Sequence, residues 1–273
     1  MKRILFIGLA LFIVVYQSVS QEWDTELSIF ESFLEEERFA DQTNAFNLLQ
    51  AIHAEDEEGI LDRYEKLIEK LDKKSSKKAH VKWFLEELFY KSHQYILKDY
   101  RKHSTFNEML ANGSYDCVSG SALLGLLLER YGFDFEVIET DYHVFVLVHD
   151  GENTYVMEST EAREGFMTDP KVVAAYIAAF KPTNLRPGNF KSLAGQKEEL
   201  IGGENTIYRS ISLKELAGLQ YYNDAVHHFN ENEMELVQRQ LIKAAKIYPS
   251  ERVEAFYDYV QSQNNDSKKL ARR

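Results

Sequence analysis

Residues Ala122 to Leu128 are apolar on every side. A helix carrying that run has no face to give to water, so it must be enclosed by the rest of the fold. Gly132, directly after Tyr131, is a good stop for such a helix. Whatever encloses it has to be read from the patterns before and after it.

Before it, from Gln21 to about His103, the chain reads as helical and highly charged. Ile60, Leu61, Tyr64, Leu67, Ile68 and Leu71 fall on one helix face. The run from Lys73 to Lys78 breaks that helix and reads as a solvated turn. A second stripe carries Val81, Phe84, Leu85, Leu88, Tyr95, Ile96 and Tyr100. Both stripes are expected to face a core. Asn112-Gly113-Ser114 is a turn signal.

After it the period changes. Phe133, Phe135 and Val137 alternate as in a strand, and His143 to Val148 is rich in β-formers. Asp150-Gly151 is a short hairpin signal, with Thr154 to Glu158 as the returning strand. Asp169-Pro170 supplies a cap and a first-turn proline for another helix. From Lys181 to Glu204 the sequence loosens around Pro182, Pro187, Gly188, Gly202 and Gly203. Three helical stretches follow: Leu213 to Asn230, Glu233 to Tyr248, and one from Pro249-Ser250 to Gln263. A polar, unstructured tail is expected over 264–273. The expected organisation is a helical region at 21–103, an α+β core with an antiparallel sheet at 104–181, a linker at 182–205, and a helical region at 206–263.

The first twenty residues read as an address. Lys2 and Arg3 precede an apolar run from Ile4 to Tyr16, and Ser18 and Ser20 stand where a signal peptidase reads small residues. Cleavage before Gln21 is expected, giving a secreted or periplasmic protein. No cysteine near that point supports a lipoprotein. The run is shorter than the ~20 residues of a membrane span, so no membrane association is expected after cleavage. The formal net charge of −12 disfavours nucleic-acid binding. A lone cysteine excludes a disulfide framework and a cysteine-rich zinc site. The chain has no Walker loop, dinucleotide glycine fingerprint or His-Glu-x-x-His. His227 and His228 are adjacent and point to different helix faces. No cofactor and no metal are therefore expected.

That lone cysteine, Cys117, sits just before the enclosed helix, after a glycine-containing turn, where the helix dipole and first amides stabilise an adjacent thiolate. Taken alone, a free cysteine is more often a small buried hydrophobe. If Asp150 and Gly151 are the central residues of a tight turn, His143 faces Glu158 directly across the ladder. A turn longer by two residues would set His143 opposite Thr160, with Glu158 as its diagonal neighbour. Either way a carboxylate stands near the imidazole and can fix its tautomer.

The stretch from Gly113 through Cys117 to Leu124, with Arg130-Tyr131-Gly132, Tyr142-His143-Val144-Phe145-Val146 and Tyr155-Val156-Met157-Glu158-Ser159-Thr160, resembles the transglutaminase-like cysteine-protease superfamily. The resemblance covers roughly Phe106 to Phe166. It implies a papain-like core in which Cys117 is nucleophile, His143 general base and acid, and Glu158 the orienting carboxylate. It also implies acyl transfer from peptide or isopeptide amides, by a protease, amidase or transamidase. Glu158 departs from the family's usual Asp, and Val118 stands where an aromatic is frequent. Asn107 and Asn112 are candidate side-chain oxyanion donors. The alternative is a non-catalytic member of the fold that binds a protein or peptide. Farther on, Tyr221-Tyr222-Asn223-Asp224-Ala225, Val237, Leu241, Ala244 and Pro249 resemble one degenerate tetratricopeptide repeat. That implies a helical hairpin, either packed on the core or offered to a protein partner.

Overall fold

The structure, a computed structural model, describes residues 29–55, 58–182 and 206–271, the last eight of them as backbone only. The expected leader at 1–20 and nearly all of the expected linker at 182–205 lie outside these residues. The described chain is α+β, with one five-stranded antiparallel sheet.

Ser32 and Asn44 cap α1 (Phe33–Ala40) and α2 (Ala45–Leu49), each side chain accepting from a backbone N–H three residues on. The next helix, α3 (Asp62–Asp72), buries Leu67 and Leu71 at i, i+4 spacing, with Ile60, Leu61, Tyr64 and Ile68 packed beside them. The lysine run holds a short 3-10 turn at Ser75–Lys77 with no buried residue. Beyond it α4 (Val81–Tyr95) buries Phe84, Leu85 and Leu88. It stops at Tyr95, so Tyr100 is not on its stripe. Tyr100 belongs to β1 (Asp99–Tyr100) and is largely exposed.

Strand β1 pairs in parallel with β2 (Ser114–Tyr115), setting Tyr100 beside Tyr115. Between them lies α5 (Phe106–Asn112), started by a Thr105–Glu108 capping box and ended by Gly113. Gly113 has φ +88°, a left-handed conformation that side chains rarely take. Asp116 and Ser119 cap each other's backbone and launch α6 (Cys117–Tyr131). Every residue from Val118 to Leu128 is buried. Full burial of each leucine there contributes about 1.5–3 kcal/mol.

The sheet consists of β3 (Asp134–Thr140), β4 (Val144–Asp150), β5 (Asn153–Met157), β6 (Phe166–Met167) and, beyond an intervening helix, β7 (Tyr208–Ile211). Its order is β6-β5-β4-β3-β7. Val144, Val146 and Val148 belong to the same apolar cluster as α6, while Phe145 and Leu147 join Ile138, Val156 and Val173 in a second cluster. That second face is covered by α7 (Pro170–Phe180) through Tyr176, Ile177 and Phe180. Cover on both faces explains why β4 reads as a continuous apolar run.

The β4–β5 hairpin corrects the first register expected. Asp150 lies opposite Asn153, so Gly151 and Glu152 are the central residues. Gly151, at φ +60°, fills the first central position, the place a type II′ turn gives to glycine. Extended past its last pair, this register makes Glu158 the diagonal neighbour of His143.

The C-terminal helices are α8 (Leu213–Asn230), α9 (Met234–Ile247) and α10 (Glu251–Ala271). The last continues in helical conformation through 264–271, where a loose tail was expected. These helices have no core of their own. β7 hydrogen-bonds along β3, and Gln220 of α8 accepts from Phe106 N–H and donates to the Leu49 carbonyl. Lys243 of α9 forms a fully buried ion pair with Glu35 of α1 at 2.6 Å. One continuous cluster of buried apolar side chains runs from Phe39 to Val260. The boundaries expected at 104, 182 and 206 therefore do not divide the hydrophobic interior.

Candidate active site

Cys117 is the first residue of α6, and its position is set by the Asp116–Ser119 cap. Asp116 accepts from Ser119 N–H at 2.8 Å, and Ser119 Oγ accepts from Asp116 N–H at 2.9 Å. Burial pushes the Asp116 carboxyl up to about 6, against the lowering effect of these hydrogen bonds. The opening amides of a helix lack intrahelical acceptors and favour negative charge beside them. One turn on, Gly120 permits close approach to the chain after β5. A Cβ there would stand 2.7 Å from Ser159 Oγ.

His143 sits in the corner between β3 and β4. Its carbonyl accepts from Thr140 N–H and Thr140 Oγ1, both at 2.9 Å, and its own N–H donates to Thr140 Oγ1 at 3.1 Å. Phe180 stacks on the ring at a centroid distance of 5.7 Å. Nε2 lies 2.5 Å from Glu158 Oε2, and the Cys117 side chain is close enough to the imidazole to act on its protonation. With Nε2 committed to the carboxylate, Nδ1 is the nitrogen left for the sulfur. Burial pulls the imidazole down, but hydrogen bonds and charge from Cys117 and Glu158 outweigh it and raise it to about 10.

Glu158, one residue past β5, is buried and ringed by donors. Oε1 accepts from Thr160 N–H at 2.8 Å and Thr160 Oγ1 at 2.6 Å, while Oε2 takes the Tyr176 hydroxyl besides His143. Burial works against the carboxylate, yet these donors, His143 first, hold it below its ordinary value. Tyr176, on α7, is raised by burial and by the Glu158 charge, so it stays a donor. No reading of the sequence had singled it out. Its one signal is the Tyr176–Phe180 pair, spaced i, i+4 on the helix face that covers the sheet.

Cys117 and His143 both open into a cleft of about 280 Å³. Tyr100 and Tyr142 line it too, and Leu219, Tyr222, Asn223 and Val226 of α8 supply part of its wall. Phe106, Tyr115 and Phe166 are not in that lining. Burial, then the negative charges of Cys117 and Asp116, push Tyr100 up to about 12.

Neither amide proposed as an oxyanion donor is placed for it. Asn107 spends its Nδ2 on the carbonyls of Gln50 and Ile52, at 2.9 and 2.8 Å, and Asn112 uses Oδ1 to accept from Ser114 N–H. Both line a different cavity from Cys117. The other acids near the triad are occupied as well. Asp141 accepts from the Thr206 and Ile207 N–H groups, and Asp116 is the helix cap. Among the described residues, the one cluster of three histidine and carboxylate groups able to hold a metal is His53, Asp224 and His228, on the side of α8 that faces the N-terminal helices.

Comparison of the chain with protein-family models, with curated proteins and with solved structures returns no match.

Proposed function

We propose that this protein is an exported cysteine-dependent acyl-transfer enzyme with a transglutaminase-like core, acting on peptide or isopeptide amides. The observation that carries the reading is the division of His143. Glu158 holds Nε2, and the same ring lines an open cleft together with a cysteine at a helix N-terminus, whose side chain acts on its protonation. A positively charged imidazole beside Sγ favours the thiolate, the nucleophilic form.

In this mechanism Sγ attacks the amide carbonyl carbon. The Cys117 N–H, free at the first helical position, takes the oxyanion, with the protonated Tyr100 hydroxyl as a second donor in the same cleft. His143 Nδ1–H protonates the departing nitrogen as the C–N bond breaks, leaving a thioester. Water or an amine then attacks, His143 takes its proton, and Sγ leaves as thiolate. Glu158 keeps the ring oriented throughout and stabilises its charge without taking its proton. Because α8 walls the cleft, the tetratricopeptide-like helices serve here as part of the substrate groove.

Cys117 is the sole thiol, so labelling reports it alone. Iodoacetamide should modify the protein readily at pH 6, and His143→Ala should slow this strongly. Cys117→Ala should abolish hydrolysis of peptide amides while leaving the melting temperature nearly unchanged. Labelling that appears only above pH 8, or that ignores His143→Ala, would sink the reading.

A further inference from the structure

We propose that His53, Asp224 and His228 form a binding site for a divalent transition-metal cation, zinc by preference, which ties the N-terminal helices to α8. Two histidine nitrogens and a carboxylate are a ligand set that zinc accepts, with a fourth position left for water.

The spacing fits a metal. Two ligand atoms about 2.0–2.1 Å from a tetrahedral zinc lie about 3.3–3.4 Å apart. Here His53 Nε2 is 3.1 Å from Asp224 Oδ1, and His228 Nε2 is 3.3 Å from Asp224 Oδ2. All three groups offer ligand atoms within 4.8 Å of one another. Asp224 and His228 stand one turn apart on α8, and His53 meets them from the segment after α2.

The second observation is independent of spacing. Asp224 is 94% buried and His228 91% buried, and Asp224 Oδ2 and His228 Nε2 form an ion pair at 3.3 Å, yet neither atom has a hydrogen bond of good geometry. The two atoms face each other without hydrogen-bond geometry. Buried polar atoms almost always find a hydrogen bond of good geometry. A cation accepting a lone pair from each gives both atoms a partner of good geometry at once.

The outer partners are those a metal site needs. His53 Nδ1 lies 3.2 Å from Glu31 Oε2, and His228 Nδ1 lies 2.6 Å from Glu233 Oε2. A carboxylate on the far nitrogen fixes the tautomer and raises ligand basicity. Glu31 is itself held by Gln240 Nε2 at 3.1 Å. The backbone beneath His53 is pinned by Asn107, which donates to the Gln50 and Ile52 carbonyls, and His53 itself takes the left-handed φ of +46°. A non-glycine residue held in that region is strained, and such strain gathers at functional sites. His53 and Asp224 line a cavity of about 460 Å³, which leaves the fourth position open to water or a small ligand.

The test is a zinc titration of the purified, chelator-treated full chain by calorimetry. One equivalent should bind at micromolar concentration or tighter, and His53→Gln and His228→Gln should each weaken it by more than tenfold. At free zinc a hundredfold above the dissociation constant, the melting temperature should rise by about 5–10 °C. Cobalt substituted for zinc in the unmutated protein should give the intense visible absorption of a tetrahedral site. That reading holds even if His228→Gln fails to fold. Absence of saturable zinc binding would overturn the proposal. So would binding that survives His53→Gln but is lost when the neighbouring His103 and His227 are replaced.

Discussion

Glu139 and Glu158 are both buried carboxylates of the same sheet region, and they do opposite things. Glu139 on β3 meets two guanidinium groups, Arg252 and Arg209, each at 2.6 Å, and accepts from the Tyr248 hydroxyl. Arg252 also donates to the Asp141 carbonyl and lies over the Tyr222 ring. Arginine does not lose its proton in proteins, so this hub clamps β3, β7 and the C-terminal helices in one charge state. Glu158 has one cationic partner, and that partner is an imidazole. The donors around Glu158 make its charge permanent, while His143 remains free to give and take a proton. A buried carboxylate thus becomes structural or functional according to whether its cation can titrate.

The contrast can be broken most directly at Glu158. Glu158→Gln offers an amide N–H to the ring and favours the wrong tautomer. Turnover should fall by up to about 10⁴, against a folding cost of about 1–3 kcal/mol from disturbed buried donors. Undiminished Cys117 reactivity in this variant, measured by alkylation rate, would remove Glu158 from the triad. Glu139→Gln should show the reverse balance. Stranding a buried guanidinium costs about 3–5 kcal/mol, visible in chemical denaturation, while turnover per folded molecule should hold.

A smaller effect distinguishes the hubs by pH. His143 is raised to about 10 from an ordinary 6.5, so its protonation stabilises the fold fully below pH 6.5. That contribution drains away as the pH climbs from 6.5 to 10. The stability gap between the unmutated protein and His143→Gln should therefore narrow across this window. A gap that stays constant would contradict the imidazolium–carboxylate pairing. The smallest change expected is for Tyr176→Phe. Glu158 keeps its three other donors, so stability should drop by about 1 kcal/mol and turnover by no more than about tenfold. A larger loss of turnover would make Tyr176 a principal positioning residue.

What the sequence disclosed depended on how local each signal was. The apolar run and Gly132 mark the body and end of α6, and the structure adds the Asp116 cap that starts it. Asp169-Pro170 likewise starts α7. His143 and Glu158 do meet, though through the diagonal register and not the direct one. The Glu158 side chain, one methylene longer than an aspartate, reaches across that offset. Glycine could have filled either central turn position, and the choice flips with one residue. Pairings across the chain left no trace. Nothing near Glu139 announces Arg252, 113 residues on, and nothing near Tyr176 announces Glu158. Asn107 and Asn112 lie close to Cys117 in sequence, but both line the other cavity.

The Lys243–Glu35 pair spans 208 positions, and β7 reaches back across about 70 to join β3. Long sequence separations slow folding, because chain closure must precede the contacts that reward it. A chain emerging from its N-terminus can build α6 and the β3–β4 pair early, with Cys117 already at its helix start. The wall given by Leu219 to Val226 comes some hundred residues later in the chain. Until that last portion docks, Cys117 lacks this wall of its cleft. The cleft at Cys117 is thus complete only once the C-terminal helices have docked.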